Sequence, residues 1–255
     1  DLTHGWINVL GGAPSLTARW RAIGHRVAQA LAPGAGPRAG LPPDPRVCVI
    51  GAGSSGITAV KALQDRGIAV VCHEASDRVG GNWVFNNKNG MSSAYRSLHI
   101  NTTAELMQYR DLPMPEGTPT YPHHSAIAAY FEQYLDTFDL RRHVRFESRV
   151  ERVEPTGDGG WQVSASSGAP ERFDAVLVAN GHHWSPRLPD PPYPGPFAGE
   201  QLHSHHYLDP DAPLALRGKR VLVVGFGNSA MDIACELGHR GVAEQVFLST
   251  RRGGY

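Results

Sequence analysis

Residues 46–75 read RVCVIGAGSSGITAVKALQDRGIAVVCHEA, and this stretch decides the fold. It opens with Arg46–Ile50, a short apolar run rich in β-branched residues, which is typical of a buried strand. Apolar residues then recur at helical spacing over Ile57–Arg66. Gly51, Gly53 and Gly56 fall at the turn between the two elements, in the order GxGxxG. The pattern predicts a strand, a phosphate-binding turn and a helix that begins at the turn.

The three glycines have different mechanical roles in such a turn. The first permits the tight turn, the second lets a pyrophosphate approach the backbone, and the third allows the helix to pack closely on the strand. The amides at the start of the helix then face the phosphates. A second apolar run, Ile68–Cys72, predicts a neighbouring strand, and Glu74 follows it where a carboxylate can accept hydrogen bonds from a ribose 2′-hydroxyl. A carboxylate there would repel a 2′-phosphate.

A second unit of the same kind lies in residues 220–255, which read RVLVVGFGNSAMDIACELGHRGVAEQVFLSTRRGGY. A strand is predicted over Val221–Val224, and a helix follows it. Gly225, Gly227 and Ala230 repeat the fingerprint between them in its GxGxxA form. The chain therefore holds two predicted dinucleotide sites.

The end of the second predicted strand differs between the two units. Where the first unit offers Glu74, the second presents Ser249, Thr250, Arg251 and Arg252, with no acid. An arginine such as Arg251 can pair bidentately with a 2′-phosphate, so this site should prefer NADPH to NADH. The alternative is a solvated basic turn.

Composition argues against several classes of partner. Among 255 residues, 24 Lys and Arg balance 24 Asp and Glu, so no global field would recruit nucleic acid or an anionic membrane. No apolar run approaches the roughly 18 residues of a membrane span. A basic amphipathic helix predicted between Ala13 and Ala32 could lie on a membrane surface, but we favour docking on its own protein. Cys48, Cys72 and Cys235 are widely spaced, so we expect no disulfide framework and a cytoplasmic location.

Between the two glycine fingerprints lies FAGEQLHSHHY, residues 197–207. It fits the pattern FxGxxxHxxxY through Phe197, Gly199, His203 and Tyr207. With two dinucleotide units of opposite 2′ preference, this pattern makes the chain resemble the flavin-containing monooxygenases, which use FAD, NADPH and O2 to oxygenate soft nitrogen and sulfur atoms. The resemblance covers residues 46–255. It implies an α/β fold with two Rossmann-like, doubly wound domains and a small amine or sulfide as substrate.

The resemblance also implies roles for particular residues. It places Gly81, Asn82 and Trp83, from EASDRVGGNW, near the flavin. Asn101, from YRSLHINTTAELM, would present its amide to the flavin and the nicotinamide as the catalytic residue, and the backbone near Val150 would meet the adenine. The other cofactor-binding residues predicted from the resemblance and the second fingerprint are Gly181, His203, Tyr207, Asn228 and Ser229.

The histidine run His203, His205 and His206 admits other readings, because imidazoles bind metals and titrate near neutrality. An irregular segment lacks the tetrahedral partners of a metal, so we predict no metal site and a hydrogen-bonding role for His203 in a linker between the nucleotide domains. The histidines expected at surface or turn positions are His123, His124, His182 and His183.

Two further elements are predicted without a cofactor role. A helix from about Ser125 to Phe138 begins with a serine cap and presents Ile127, Phe131, Leu135 and Phe138 on one face. The stretch WQVSAS, residues 161–166, has the pattern of a strand.

We divide the chain into an N-terminal extension and linker (1–45), an FAD-binding domain (46–184), and a crossover with the start of an NADPH-binding domain (185–255). Members of the family continue beyond the second strand of that domain, so the C-terminal part is expected to be missing here. Two alternatives stay open: a truncated or non-catalytic nucleotide-binding relative, and an N-hydroxylating or Baeyer–Villiger monooxygenase.

Overall fold

The computed structural model of the protein describes residues 41–251. The helix predicted between Ala13 and Ala32, the first part of the linker after it, and Arg252 lie outside the described residues. Within residues 41–251, no helix is both long and apolar enough to cross a membrane. The chain forms two compact units: unit 1 runs to Gly81 and adds Asn87–Asn89 and Ile127–His182, and unit 2 contains Asn82–Asn86, Gly90–Ala126 and the residues from His183 onward.

A parallel sheet forms the centre of unit 1. Its strands are β1 (Arg46–Ile50), β2 (Ala69–His73), β3 (Val144–Arg145) and β7 (Ala175–Val178), and helix α1 (Ser54–Gln64) connects β1 to β2. The strand order is β3-β2-β1-β7, and every pairing is parallel. Val47, Cys48 and Val49 are buried because β1 is covered by neighbours on both edges and both faces. The predicted α/β fold is confirmed.

The elements of the first glycine unit were predicted closely. β1 has the predicted bounds, and β2 is shifted by one residue from Ile68–Cys72. Helix α1 begins at Ser54, three residues before the apolar periodicity. Its first three residues, Ser54, Ser55 and Gly56, are not apolar, so the hydrophobic periodicity starts only at Ile57.

A three-stranded antiparallel sheet, of order β4-β5-β6, packs within unit 1. Its strands are β4 (Val150–Pro155), β5 (Trp161–Ala165) and β6 (Glu171–Phe173). Val163 and Phe173 bury against Cys48 and Val176, so one apolar cluster joins the two sheets. The strand predicted in WQVSAS is confirmed as β5.

Helix α3 (His124–Thr137) begins one residue before the predicted start. Ile127, Phe131 and Leu135 are fully buried, as predicted. Phe138 is only half-buried, because it follows the last residue of the helix and its ring lies under the Lys61 ammonium, 4.5 Å from the ring centroid. The predicted Ser125 cap is wrong, because the Ser125 amide itself donates to the ring Nδ1 of His123 at 3.3 Å. The histidine accepts at the helix start in place of the serine.

Unit 2 contains the second glycine unit and several shorter elements. Helix α2 (Ala104–Met107) precedes α3, and β8 (Arg220–Val224), α4 (Asn228–Gly238) and β9 (Gln245–Ser249) follow. β8 and β9 pair in parallel. Tyr95 and Tyr207 bury against Ile233 and Leu237 of α4, and these four residues form a buried apolar cluster in the unit.

Candidate functional site

The first glycine turn is built from close backbone contacts. Gly51 has φ +98°, and a Cβ there would lie 2.6 Å from the Ala179 carbonyl oxygen beyond the end of β7. A Cβ at Gly56 would lie 1.8 Å from the Gly51 carbonyl oxygen. Both positions therefore accept only glycine without a backbone shift. The start of α1 therefore packs closely on the carboxyl end of the sheet, as the fingerprint predicts.

Gly53 differs from the other two glycines, because it faces open space. A Cβ there would have only the Gly81 Cα, at 3.8 Å, as a neighbour. Gly53 caps the N-terminus of α1 and provides no side-chain hydrogen bond to it. Gly81 has φ +55° and lies against Gly53, so two residues without side chains leave the helix start accessible. Such a surface can take a phosphate at the positive end of the helix dipole.

Glu74 lies at the end of β2 and is buried, with 5% of its surface exposed. Its Oε2 accepts the Ala52 N–H at 2.7 Å, and its Oε1 accepts the Ser76 N–H at 2.7 Å. The carboxylate thus ties the glycine turn to the segment after β2. Each carboxylate oxygen has a second lone pair, so Glu74 can still accept from a ribose hydroxyl. The sequence pattern predicts the ribose contact of Glu74 but not its hydrogen bonds to the Ala52 and Ser76 amides.

A cleft of about 420 Å³ opens beside the segment that follows Glu74. Its lining includes Ser76 and Asp77 together with Arg149 and Glu151, the neighbours of Val150. Val150 opens β4, where the register with β5 is irregular. The cleft therefore joins two segments that the sequence assigned to the same end of a dinucleotide.

The predicted residues Asn82, Trp83 and Asn101 all lie in unit 2. Asn82 is a structural anchor, because its Oδ1 accepts both the backbone N–H and the hydroxyl of Ser93 at 2.9 Å. Trp83 is half-buried, and its carbonyl oxygen lies 3.3 Å from the Nδ1 of His124. Asn101 is exposed, so its amide is open to a ligand.

The expectation that His124 lies at the surface is wrong. Its exposed fraction is 6%, and its ring packs on Phe85 with the ring centroids 5.6 Å apart. His123 is half-buried, and its Nε2 donates to the Arg96 carbonyl oxygen at 2.7 Å. No local pattern predicts these two roles, since both depend on contacts with segments more than twenty residues away.

The residues of the FxGxxxHxxxY pattern, within residues 197–207, lie in different environments. His203 caps the short 3-10 helix Ser204–His206, with its Nδ1 accepting the His205 N–H at 3.0 Å. Phe197 is exposed and lies over Gly199. Tyr207 is buried, and its hydroxyl donates to the Glu236 carboxylate of α4 at 2.7 Å.

Tyr95 makes a parallel contact, since its hydroxyl donates to the Asp232 carboxylate one turn earlier on α4. Burial and the adjacent carboxylates raise the pKa of both tyrosines well above the usual range, so both stay protonated donors. Two buried tyrosines therefore fix the helix that follows the second fingerprint.

The second glycine turn repeats the geometry of the first. Gly225 has φ +126°, and its N–H donates to the Ser249 carbonyl oxygen at 2.8 Å. A Cβ at Gly225 would meet the Ala230 Cβ at 3.9 Å, whereas Gly227, which caps α4, has nothing within 4 Å. Asn228, Ser229 and Arg251 are exposed, and Arg251 follows the end of β9.

Gly181, at the predicted crossover in unit 1, is exposed with φ +74°.

Comparisons with known proteins match the chain to flavin-dependent monooxygenases. The family model described as flavin-binding monooxygenase-like matches residues 44–255. Flavin-containing monooxygenase 5 of Rattus norvegicus is 40% identical over 221 residues, which are 82% of this chain and 40% of the relative. The chain thus spans about two fifths of the length of the curated relatives it matches.

Solved structures of oxygenases also superpose on this chain. S-allyl-L-cysteine S-oxygenase from Allium sativum superposes with a TM-score of 0.73 at 28% identity, covering 83% of this chain and 52% of that one. OTEMO in complex with FAD and NADP superposes with a TM-score of 0.65 at 26% identity, covering 82% of this chain and 39% of that one.

Proposed function

This chain belongs to the flavin-binding monooxygenase-like family, and from that premise we propose that it carries the FAD- and NADPH-binding segments of a flavin-dependent monooxygenase. The whole protein would use NADPH and O2 to oxygenate a soft nitrogen or sulfur atom of a small molecule. The name of the Allium sativum neighbour, an S-oxygenase, supports a sulfide among the candidate substrates.

The observation that carries the FAD assignment is the first glycine turn. Gly53 and Gly81 leave the start of α1 open, while Gly51 and Gly56 are closed by backbone contacts. A pyrophosphate fits the open part and would meet the partial positive charge of the helix terminus. The buried carboxylate of Glu74 would accept from the ribose, and the neighbouring cleft toward Val150 would take the adenine end.

NADPH binding is assigned to unit 2. Gly227 leaves the start of α4 open for the second pyrophosphate. Arg251 follows β9, where its guanidinium can pair with the 2′-phosphate. Tyr95 and Tyr207 hold α4 through its carboxylates, so their role is to fix the helix terminus rather than to transfer a proton.

FAD, when bound, supplies the electron transfer from NADPH to O2 that this chemistry needs. The residues of the chain bind and orient. Asn101 would contribute a neutral amide hydrogen bond near the reactive ring, and Trp83 would cover part of it. Neither side chain titrates near neutral pH, so each would act by hydrogen bonding or packing rather than by proton transfer.

The first test is an absorbance spectrum of the purified chain loaded with FAD, followed by anaerobic NADPH and then air. We expect a flavin band that NADPH bleaches and air restores. A chain that binds no flavin, or a flavin that NADPH does not bleach, would contradict the proposal and favour a non-catalytic relative.

Asn101→Ala tests the role of the exposed amide. We expect FAD to stay bound while product formation slows and more NADPH is consumed in forming H2O2. The control is Gln133→Ala, which removes an exposed amide on α3. Unchanged coupling between NADPH use and product in Asn101→Ala would refute the role.

A further inference from the structure

We propose that His123 and His124 are positioning residues that hold the two segments predicted to face the flavin. These segments are residues 82–85, which contain Trp83, and residues 96–101, which end at Asn101. The inference rests on the proposed function, because it concerns the flavin-facing part of the same site. All the contacts that carry it lie within unit 2.

His124 holds the first segment. Its buried ring donates through Nδ1 to the Trp83 carbonyl oxygen at 3.3 Å and packs on Phe85. Burial, and then the neighbouring His123, lower the pKa of His124 below its usual value, so it stays neutral near pH 7. A neutral imidazole has one N–H, and the Trp83 carbonyl takes it. Phenylalanine would fill the same space without that hydrogen bond.

His123 holds the second segment. Its Nε2 donates to the Arg96 carbonyl oxygen at 2.7 Å, and its Nδ1 accepts the Ser125 hydroxyl at 2.8 Å. These two bonds use both ring nitrogens, one as donor and one as acceptor, which fixes the tautomer and the ring plane. The segment after Arg96 is therefore tied to the start of α3.

Backbone contacts reinforce the arrangement. His99 and His123 form an antiparallel bridge, the His124 N–H donates to the Leu98 carbonyl at 2.9 Å, and the Ile100 N–H donates to the Pro122 carbonyl at 3.0 Å. Asn101 is the next residue after this ladder. The side chains of the two adjacent histidines thus hydrogen-bond one segment each. A displacement of His123 and His124 would therefore move Trp83 and Asn101 together.

The test uses the FAD-loaded chain with His124→Phe and His124→Asn. Phenylalanine keeps the ring and removes the donor, whereas the asparagine amide can donate from near the position of Nδ1. For His124→Phe we expect a changed visible circular dichroism of the flavin and a limiting rate of reduction by NADPH that falls about tenfold, because small displacements of reacting groups are costly. The Kd for NADPH should stay within about twofold, and His124→Asn should recover most of the rate.

His239→Phe is the control, since it makes the same substitution at an exposed histidine of unit 2. An unchanged flavin spectrum and rate in His124→Phe, or an equal loss in His124→Asn, would overturn the inference. If His124→Phe does not fold, His123→Gln and His123→Leu replace it. Gln can still donate from near the Nε2 position and should outperform Leu, and equal behaviour would overturn the inference.

Trp83 provides a readout that does not need FAD. The emission that is lost in Trp83→Phe gives the contribution of Trp83, and His124→Phe should alter that contribution in the apo chain. A chain that fails to bind FAD but shows this change would refute the proposed function and keep the positioning role. Unchanged Trp83 emission would refute the positioning role alone.

Discussion

Gly56→Ala and Gly53→Ala separate the structural part of the first glycine turn from its ligand-binding part. A Cβ at Gly56 would lie 1.8 Å from the oxygen and 2.8 Å from the carbon of the Gly51 carbonyl, whereas real Cβ contacts stay above 3.0 Å. Both obstacles are backbone atoms, so α1 or the turn must move by roughly 1 Å. We expect Gly56→Ala to lower the free energy of unfolding by about 3 kcal/mol or more, the upper end for overpacking.

Gly53→Ala is the matched control, because its Cβ would meet only the Gly81 Cα at 3.8 Å and its φ is −77°. We expect its free energy of unfolding to stay within about 1 kcal/mol of the wild type. The added methyl group fills the surface assigned to the pyrophosphate, so affinity for FAD should fall at least about tenfold, or 1.4 kcal/mol.

Urea unfolding of the FAD-free chain measures the first quantity for both variants, and quenching of flavin fluorescence measures the second. Gly56→Ala with wild-type stability would refute the packing argument. Gly53→Ala with wild-type FAD affinity would refute the placement of the pyrophosphate.

Three other predictions follow from the site and the ion pairs. Arg251→Ala should reduce the preference for NADPH over NADH by about 10- to 100-fold, or 1.4 to 2.7 kcal/mol, measured by the Kd of each nucleotide; an equal loss for both would show that the residue does not contact the phosphate. Tyr207→Phe should lower the free energy of unfolding by about 1–3 kcal/mol, because it leaves a carboxylate without its donor, and a smaller loss in chemical denaturation would argue against the contact. Hydrogen bonds from Arg145 and then Arg46 lower the pKa of Glu171 from 4.5 to about 2. Its stabilisation is therefore present above pH 4.5 and lost as the pH falls toward 2, and Glu171→Gln should flatten that part of the stability–pH curve.

Local pattern was sufficient for the elements that carry the glycine turns. Apolar runs gave β1 and β2, and the order GxGxxG placed the turn and α1, because each of these features depends on neighbours in sequence. The same holds for the buried face of α3, whose apolar residues recur at helical spacing.

The contacts that complete the site depend on residues far apart in the chain. Glu74 fits a ribose-binding pattern, but its bond to the Ala52 amide requires the turn to fold back over β2. His124 looks like any polar residue before a helix, and its burial depends on Phe85 and Trp83. The contact of Tyr95 with Asp232 of α4 likewise joins segments more than a hundred residues apart. Periodicity carries no information on such pairs.

The position of β7 beside β1 has a consequence for synthesis of the chain. The Arg46 N–H donates to the Asp174 carboxylate across 128 residues, and the Ala179 carbonyl lies against Gly51 over a similar separation. At a translation rate of roughly 5–20 residues per second, about 6 to 26 s separate the emergence of β1 from that of β7. During that interval one edge of β1 is open to chaperones or to wrong strand partners. We therefore expect cofactor capture to be a late event, possible only after the nascent chain has passed residue 180.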